Sequence, residues 1–188
     1  MRTMVSKLVF GFAAAAGLLS LPAGASCGKD LVFKMTAQLP GVPVPEAREA
    51  VTDQATASAP ALAVTGLWLT SVIFQGQTIY QAFESYTLDG LEFLNDNGSP
   101  IEGNVCFGVW TVMPDNTVKV NHPSWNYDAS GNLIGTVSIK SQVTIEAGGN
   151  SFHGSVTVTT YDLTGHVSGP VLQAQLVGKR ITANSSIE

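Results

Sequence analysis

Gly135-Thr136-Val137-Ser138-Ile139-Lys140-Ser141-Gln142-Val143-Thr144-Ile145-Glu146 alternates almost without a break. Val137, Ile139, Ser141, Val143 and Ile145 share one parity, while Thr136, Ser138, Lys140, Gln142, Thr144 and Glu146 share the other. A period of two is that of a β-strand, so this segment is a strand with one dry and one wet face. Ala147-Gly148-Gly149-Asn150 then supplies turn residues, and Phe152, Gly154, Val156 and Val158 alternate with His153, Ser155, Thr157 and Thr159 on the way to Asp162. Two alternating runs around a Gly-rich turn make a hairpin.

The same grammar extends in both directions. Strands are expected at 66–74, 78–87, 91–95, 105–113, 117–127 and 171–182, in addition to 135–146 and 152–162. They are separated by Gln75-Gly76-Gln77, Asp89-Gly90, Asn95-Asp96-Asn97-Gly98, Pro114-Asp115-Asn116, Asp128-Ala129-Ser130-Gly131-Asn132 and Leu163-Thr164-Gly165. About eight strands joined by short connections form an all-β, up-and-down antiparallel sheet able to close into a small barrel, which leaves no aggregation-prone edge. A two-sheet sandwich is the alternative, but it needs longer crossovers. The outer surface is too wet for an outer-membrane barrel, since the polar face of the best strands carries Thr, Ser, Lys and Gln.

Composition sets the remaining bounds. The 188 residues suit one domain; 12% are charged and 45% hydrophobic, which argues against disorder. Residues 1–25 read as a secretory signal peptide. Arg2 and Lys7 precede an apolar run at 8–21, and Ala23-Gly24-Ala25 provides the small residues of a cleavage site. That run is too short to span a bilayer, and Gly24 departs from the aliphatic residue a lipid-attachment site would place before Cys27. The expectation is a secreted or periplasmic protein with no integral membrane insertion. Cleavage removes two of nine basic residues and none of fourteen acidic ones, so nucleic acid is not an expected partner. Residues 26–65 form an N-terminal arm, stiffened by Leu39-Pro40-Gly41-Val42-Pro43-Val44-Pro45 and expected to hold a short helix over 46–55; 66–183 is the barrel and 184–188 a tail. Outside the cytosol, Cys27 and Cys106 are expected to form a disulfide worth on the order of 4 kcal/mol at most.

Gly66-Leu67-Trp68 opening the first strand resembles the Gly-x-Trp of lipocalin-type (calycin) barrels, and Lys179-Arg180 sits where such barrels set a basic residue across the Trp ring. Asp89-Gly90-Leu91-Glu92-Phe93-Leu94-Asn95, Gly103-Asn104-Val105-Cys106-Phe107-Gly108-Val109-Trp110, Lys119-Val120-Asn121-His122, Gly149-Asn150-Ser151-Phe152-His153-Gly154 and Tyr161-Asp162 are similar to stretches of secreted bacterial small-barrel proteins of unassigned function. The resemblance implies the fold and the compartment. At fold level, lipocalins carry apolar molecules and allene oxide cyclase barrels isomerise them.

Chemistry-bearing residues are few. His122 shares parity with Val118 and Val120 and is expected to point inward, with Pro123 ending regular pairing after it. It serves either as a satisfied core histidine or as a ligand contact and general base. His153 and His166 are expected at the surface. On strand 78–87, Tyr80, Ala82, Glu84 and Tyr86 share one face and Ile79, Gln81 and Phe83 the other; hydrophobicity favours Ile79 and Phe83 inside, whereas the reverse would bury Glu84 between two tyrosines as a proton donor. Glu92 is ambiguous in the same way. Trp110, Trp125, Tyr127, Phe93 and Phe107 either line a cavity with Asn121 and His122 at its mouth or pack as ordinary core.

Gly-x-Ser-x-Gly, Walker, dinucleotide and His-Glu-x-x-His motifs are absent from the sequence, and neither cofactor nor metal is expected. Three functions follow: a carrier binding a small, mostly apolar molecule at Asn121, Trp110, Trp125 and Tyr127; a cofactor-free isomerase, cyclase or lyase using His122 as base with Glu84 or Tyr86 as acid; or a structural protein with a filled barrel. The oligomeric state is open.

Overall fold

The computed structural model describes residues 29–36, 63–100, 103–115 and 117–186. Among the described residues the elements are α1 (Lys29–Thr36), β1 (Gly66–Phe74), β2 (Gln77–Tyr86), β3 (Leu91–Asp96), β4 (Val105–Val112), β5 (Thr117–Tyr127), β6 (Leu133–Ile145), β7 (Ser151–Asp162) and β8 (Leu172–Ile181). Each strand pairs antiparallel with its neighbours in sequence, and β8 returns to β1, closing the barrel. A sandwich is thereby excluded. Strand limits agree with the alternation in the sequence to within two residues, because turn residues cut the chain wherever alternation stops.

The constellation that the sequence resemblance singles out gathers where β1 begins and β8 ends. Trp68 is fully buried, and its indole N–H donates to Val64 O at 2.7 Å. The Arg180 guanidinium lies over its ring, 4.1 Å from the centroid. The same guanidinium donates to the carbonyls of Gly149 (2.6 Å), Thr65 (2.7 Å) and Ala63, tying the β6–β7 turn and the approach to β1 onto β8. Gly66 allows this closure: its φ of 120° suits glycine alone, and a Cβ there would sit 2.8 Å from Arg180 Nη1. The closed eight-stranded barrel is consistent with a calycin-type fold.

Inside, Val118, Val120, Val137, Val143, Val156, Val158, Leu172 and Leu176 form a contiguous core with Trp68 and Phe152, whose rings meet at 5.0 Å. Leu31 and Met35, one helical turn apart on α1, join that core, and α1 packs against β2 and β8. α1 therefore adds two side chains to the core. The sequence reading did not anticipate this helix; the Leu31/Met35 spacing was its signal. The helix expected at 46–55 lies outside the described residues.

The wall is not uniformly knitted. The β5–β6 ladder runs from Thr117↔Thr144 to Tyr127↔Leu133, but the β4–β5 ladder stops at Val109↔Asn121. Pro123, without an N–H, follows two residues later, so the expected break is confined to the β4 side of β5.

Candidate functional site

The wall of β2 and β3 turns its charged side inward. Trp68 pairs with Glu84, and Tyr86 with Glu92. Cross-strand partners share a face, so burying Trp68 carries Glu84 and Tyr86 inside and Glu92 and Asp96 after them. Glu84 is 9% exposed, Glu92 1% and Asp96 6%. This corrects the favoured placement of β2: Phe83 is exposed and Ile79 only half-buried. Local hydrophobicity favoured Ile79 and Phe83 inside, but the register set by Trp68 overrides it.

Glu84 Oε2 accepts hydrogen bonds from the hydroxyls of Thr70 (2.8 Å) and Tyr86 (2.9 Å). Burial, and then the neighbouring Glu92 carboxylate, raise the Glu84 pKa from 4.5 to about 7, against the opposing pull of the two hydroxyls and His122. Burial first, then Glu84 and Glu92, hold Tyr86 well above its usual value, so its phenol keeps the proton it donates. The Tyr80 hydroxyl likewise donates to Asp96.

His122, 3% exposed, places Nδ1 2.9 Å from Glu92 Oε2. The two belong to β5 and β3 and meet across β4. Gly108, opposite Glu92 on β4, opens the gap: a Cβ there would stand 2.4 Å from Glu92 Oε2 and 3.4 Å from His122 Nδ1. A glycine inside a strand signals such a close approach. Glu92 Oε1 is buried without a hydrogen-bond partner among the described residues.

Three predicted residues, His122, Glu84 and Tyr86, thus gather in one buried cluster, joined by Glu92 and by Thr70. Trp110 borders it, edge-on to Tyr86 at 6.2 Å, with its N–H directed at the carbonyls of Thr87 and Leu91. Asn121 and Trp125 do not line the interior; both are exposed on the outer face, Trp125 at 61%, because they have the opposite parity to His122. Tyr127 is half-buried at the end of β5, past a register shift. Phe93 and Phe107 pack edge-to-face on the outside, with centroids 5.6 Å apart. Thr70 and Gly108 were missed by the sequence reading, since cross-strand partners are invisible before the register is known. Cys106 is buried on β4, and the described residues include no free cysteine. Its expected partner, Cys27, lies outside them.

The chain matches no protein-family model and no curated protein.

Two carboxyls, an imidazole and a phenol in an apolar enclosure can bind a polar group strongly or exchange a proton with it. Desolvation strengthens both actions relative to water.

Proposed function

We propose that the barrel interior binds a small, mostly apolar molecule through one hydrogen-bond-donating group, a hydroxyl or an amine. The observation that carries this reading is Glu92 Oε1, buried with no donor among the described residues. Leaving such an atom unpaired costs about 1–3 kcal/mol or more, which a ligand donor would recover. Ile139, paired with His122, and Val158, paired with Ile139, offer apolar surface beside it. The incomplete β4–β5 ladder supports access from that side. The reading includes export behind a leader cut after Ala25 and a Cys27–Cys106 bridge. Native mass spectrometry of the purified protein is the test. A discrete non-covalent mass is expected on the wild type and absent from Glu92→Gln; an empty protein that also takes up no hydroxyl-bearing hydrophobic probe would leave the filled-barrel alternative in its place.

The Glu84 pKa near neutrality favours a second reading, proton-transfer catalysis in the same enclosure, with His122 removing a proton and Glu84 returning one. His122→Ala separates the two. Binding would weaken modestly, whereas turnover would fall by roughly 10²-fold or more.

A further inference from the structure

We propose that the outer face of β1–β4 is the interface between two copies of this chain. On these four strands the usual arrangement is reversed, for every charged residue they carry, Glu84, Glu92 and Asp96, is buried. Their outward positions hold large apolar side chains, interspersed with the uncharged polar Ser71, Gln81, Ser85, Asn95 and Thr111. Phe107 is 63% exposed, Val105 58% and Val109 51%, and Leu67, Phe83 and Phe93 are each close to 40%. The strand register places them side by side within each hairpin, and across β2–β3, where Phe83 faces Asn95 and Ser85 faces Phe93, the rings of Phe83 and Phe93 are diagonal neighbours. Phe93 pairs with Phe107, Leu91 with Val109 and Leu69 with Phe83. The opposite half of the barrel is more polar: Lys140, Gln142, His153, Gln175 and Lys179 are exposed on β6–β8, where Val177 and, at the start of β6, Leu133 and Ile134 are the large apolar residues in view.

The size and the charge of the face select the occupant. The exposed apolar side chains make a patch comparable to the ~300–600 Å² that is the largest on a typical monomer and is often functional, against the ~800 Å² that each partner brings to a standard interface. The chain carries a net charge of −5, so two copies repel wherever their charged surfaces meet. An uncharged face removes that repulsion. An isologous twofold contact sets the patch against itself and needs no second surface. A lipid surface fits less well, because these outward positions offer no Lys or Arg to anionic headgroups.

The test is sedimentation of the purified protein across a concentration series, with Phe107→Glu and Val105→Lys as interface variants and Gln142→Glu as a control on the polar face. The wild type and Gln142→Glu are expected to reach the mass of two chains at micromolar concentration. Each interface variant, with its circular dichroism unchanged, is expected to dissociate at least about 30-fold more readily. Val105, at the first position of β4, keeps the test usable if Phe107→Glu does not fold. A wild type that stays monomeric overturns the proposal. So does a dimer that survives a folded Val105→Lys or is lost in Gln142→Glu. A monomer that binds phosphatidylcholine vesicles assigns the face to lipid, and one that dimerises only after deletion of residues 37–62 assigns it to that segment; both results also overturn the second-copy interface.

Discussion

Replacing Gly108 by alanine tests whether the Glu92–His122 contact is built through the gap in β4. The new Cβ would lie 2.4 Å from Glu92 Oε2 and 3.0 Å from Asn121 O. Restoring van der Waals distance to the carboxyl requires a shift approaching ~1 Å, which stretches the 2.9 Å contact with His122 Nδ1 beyond hydrogen-bond range. A hydrogen bond to a charged group contributes about 1.5–3 kcal/mol, and the alanine regains about 0.5–1 kcal/mol from a less flexible unfolded chain. The net expectation is a loss of about 2 kcal/mol in urea unfolding. The Asn121 carbonyl is also crowded, so the single variant does not isolate the cause. In a Glu92→Ala background the carboxylate is gone while the backbone crowding remains. There Gly108→Ala is expected to cost at least about 1.5 kcal/mol less than in the wild type. Equal costs in the two backgrounds, within about 0.5 kcal/mol, would refute the account of Gly108 as the gap.

Glu84 gives a pH dependence whose sign differs from that of an ordinary salt-bridged carboxylate. Its folded pKa of about 7 exceeds the unfolded 4.5, so the native state holds the proton more tightly. The associated stability is full below pH ~4.5 and is lost as pH rises through about 7, amounting to a few kcal/mol. Glu84→Gln is expected to flatten the urea midpoint between pH 5 and 8 and to exceed the wild type at pH 8; an unchanged slope would count against a buried, proton-holding Glu84. Arg180→Lys leaves carbonyls among Ala63, Thr65 and Gly149 without donors and is expected to cost about 2–3 kcal/mol in thermal unfolding. A melting curve matching the wild type would remove Arg180 from the closure. The unreduced, denatured protein is expected to take up no thiol reagent, and labelling under those conditions would rule out the Cys27–Cys106 bridge.

The strands were legible because the alternation in β6 and β7 and the turn residues between elements are local signals. The inward position of His122 was legible for the same reason, since Val118 and Val120 set its parity on a strand with an evident dry side. β2 offered no such side. Tyr80 and Tyr86 compete there with Ile79 and Phe83, and only the pairing of Glu84 with Trp68, sixteen residues earlier in the chain, decides between them. The Glu92–His122 contact lies further out of reach, because it joins alternate strands through a glycine. Asn121 and Trp125 were placed beside His122 by proximity in sequence, which in a strand puts odd and even neighbours on opposite sides of the wall.

The parity of β2–β4 also bears on how the chain finds its fold. Slipped by one residue, these strands would present Ile79, Phe83, Phe93 and Phe107 to the core and return three carboxyls to water, an arrangement that hydrophobic collapse alone would prefer. The native wall is therefore locally frustrated, with a competing basin one residue away. The opposing bias comes from the tight Gln75-Gly76 turn, which joins β1 to β2, and from Trp68, whose burial forces Glu84 inward. Refolding is thus expected to sort register before it completes the barrel, and β2–β4 is the segment where misregistered chains should accumulate.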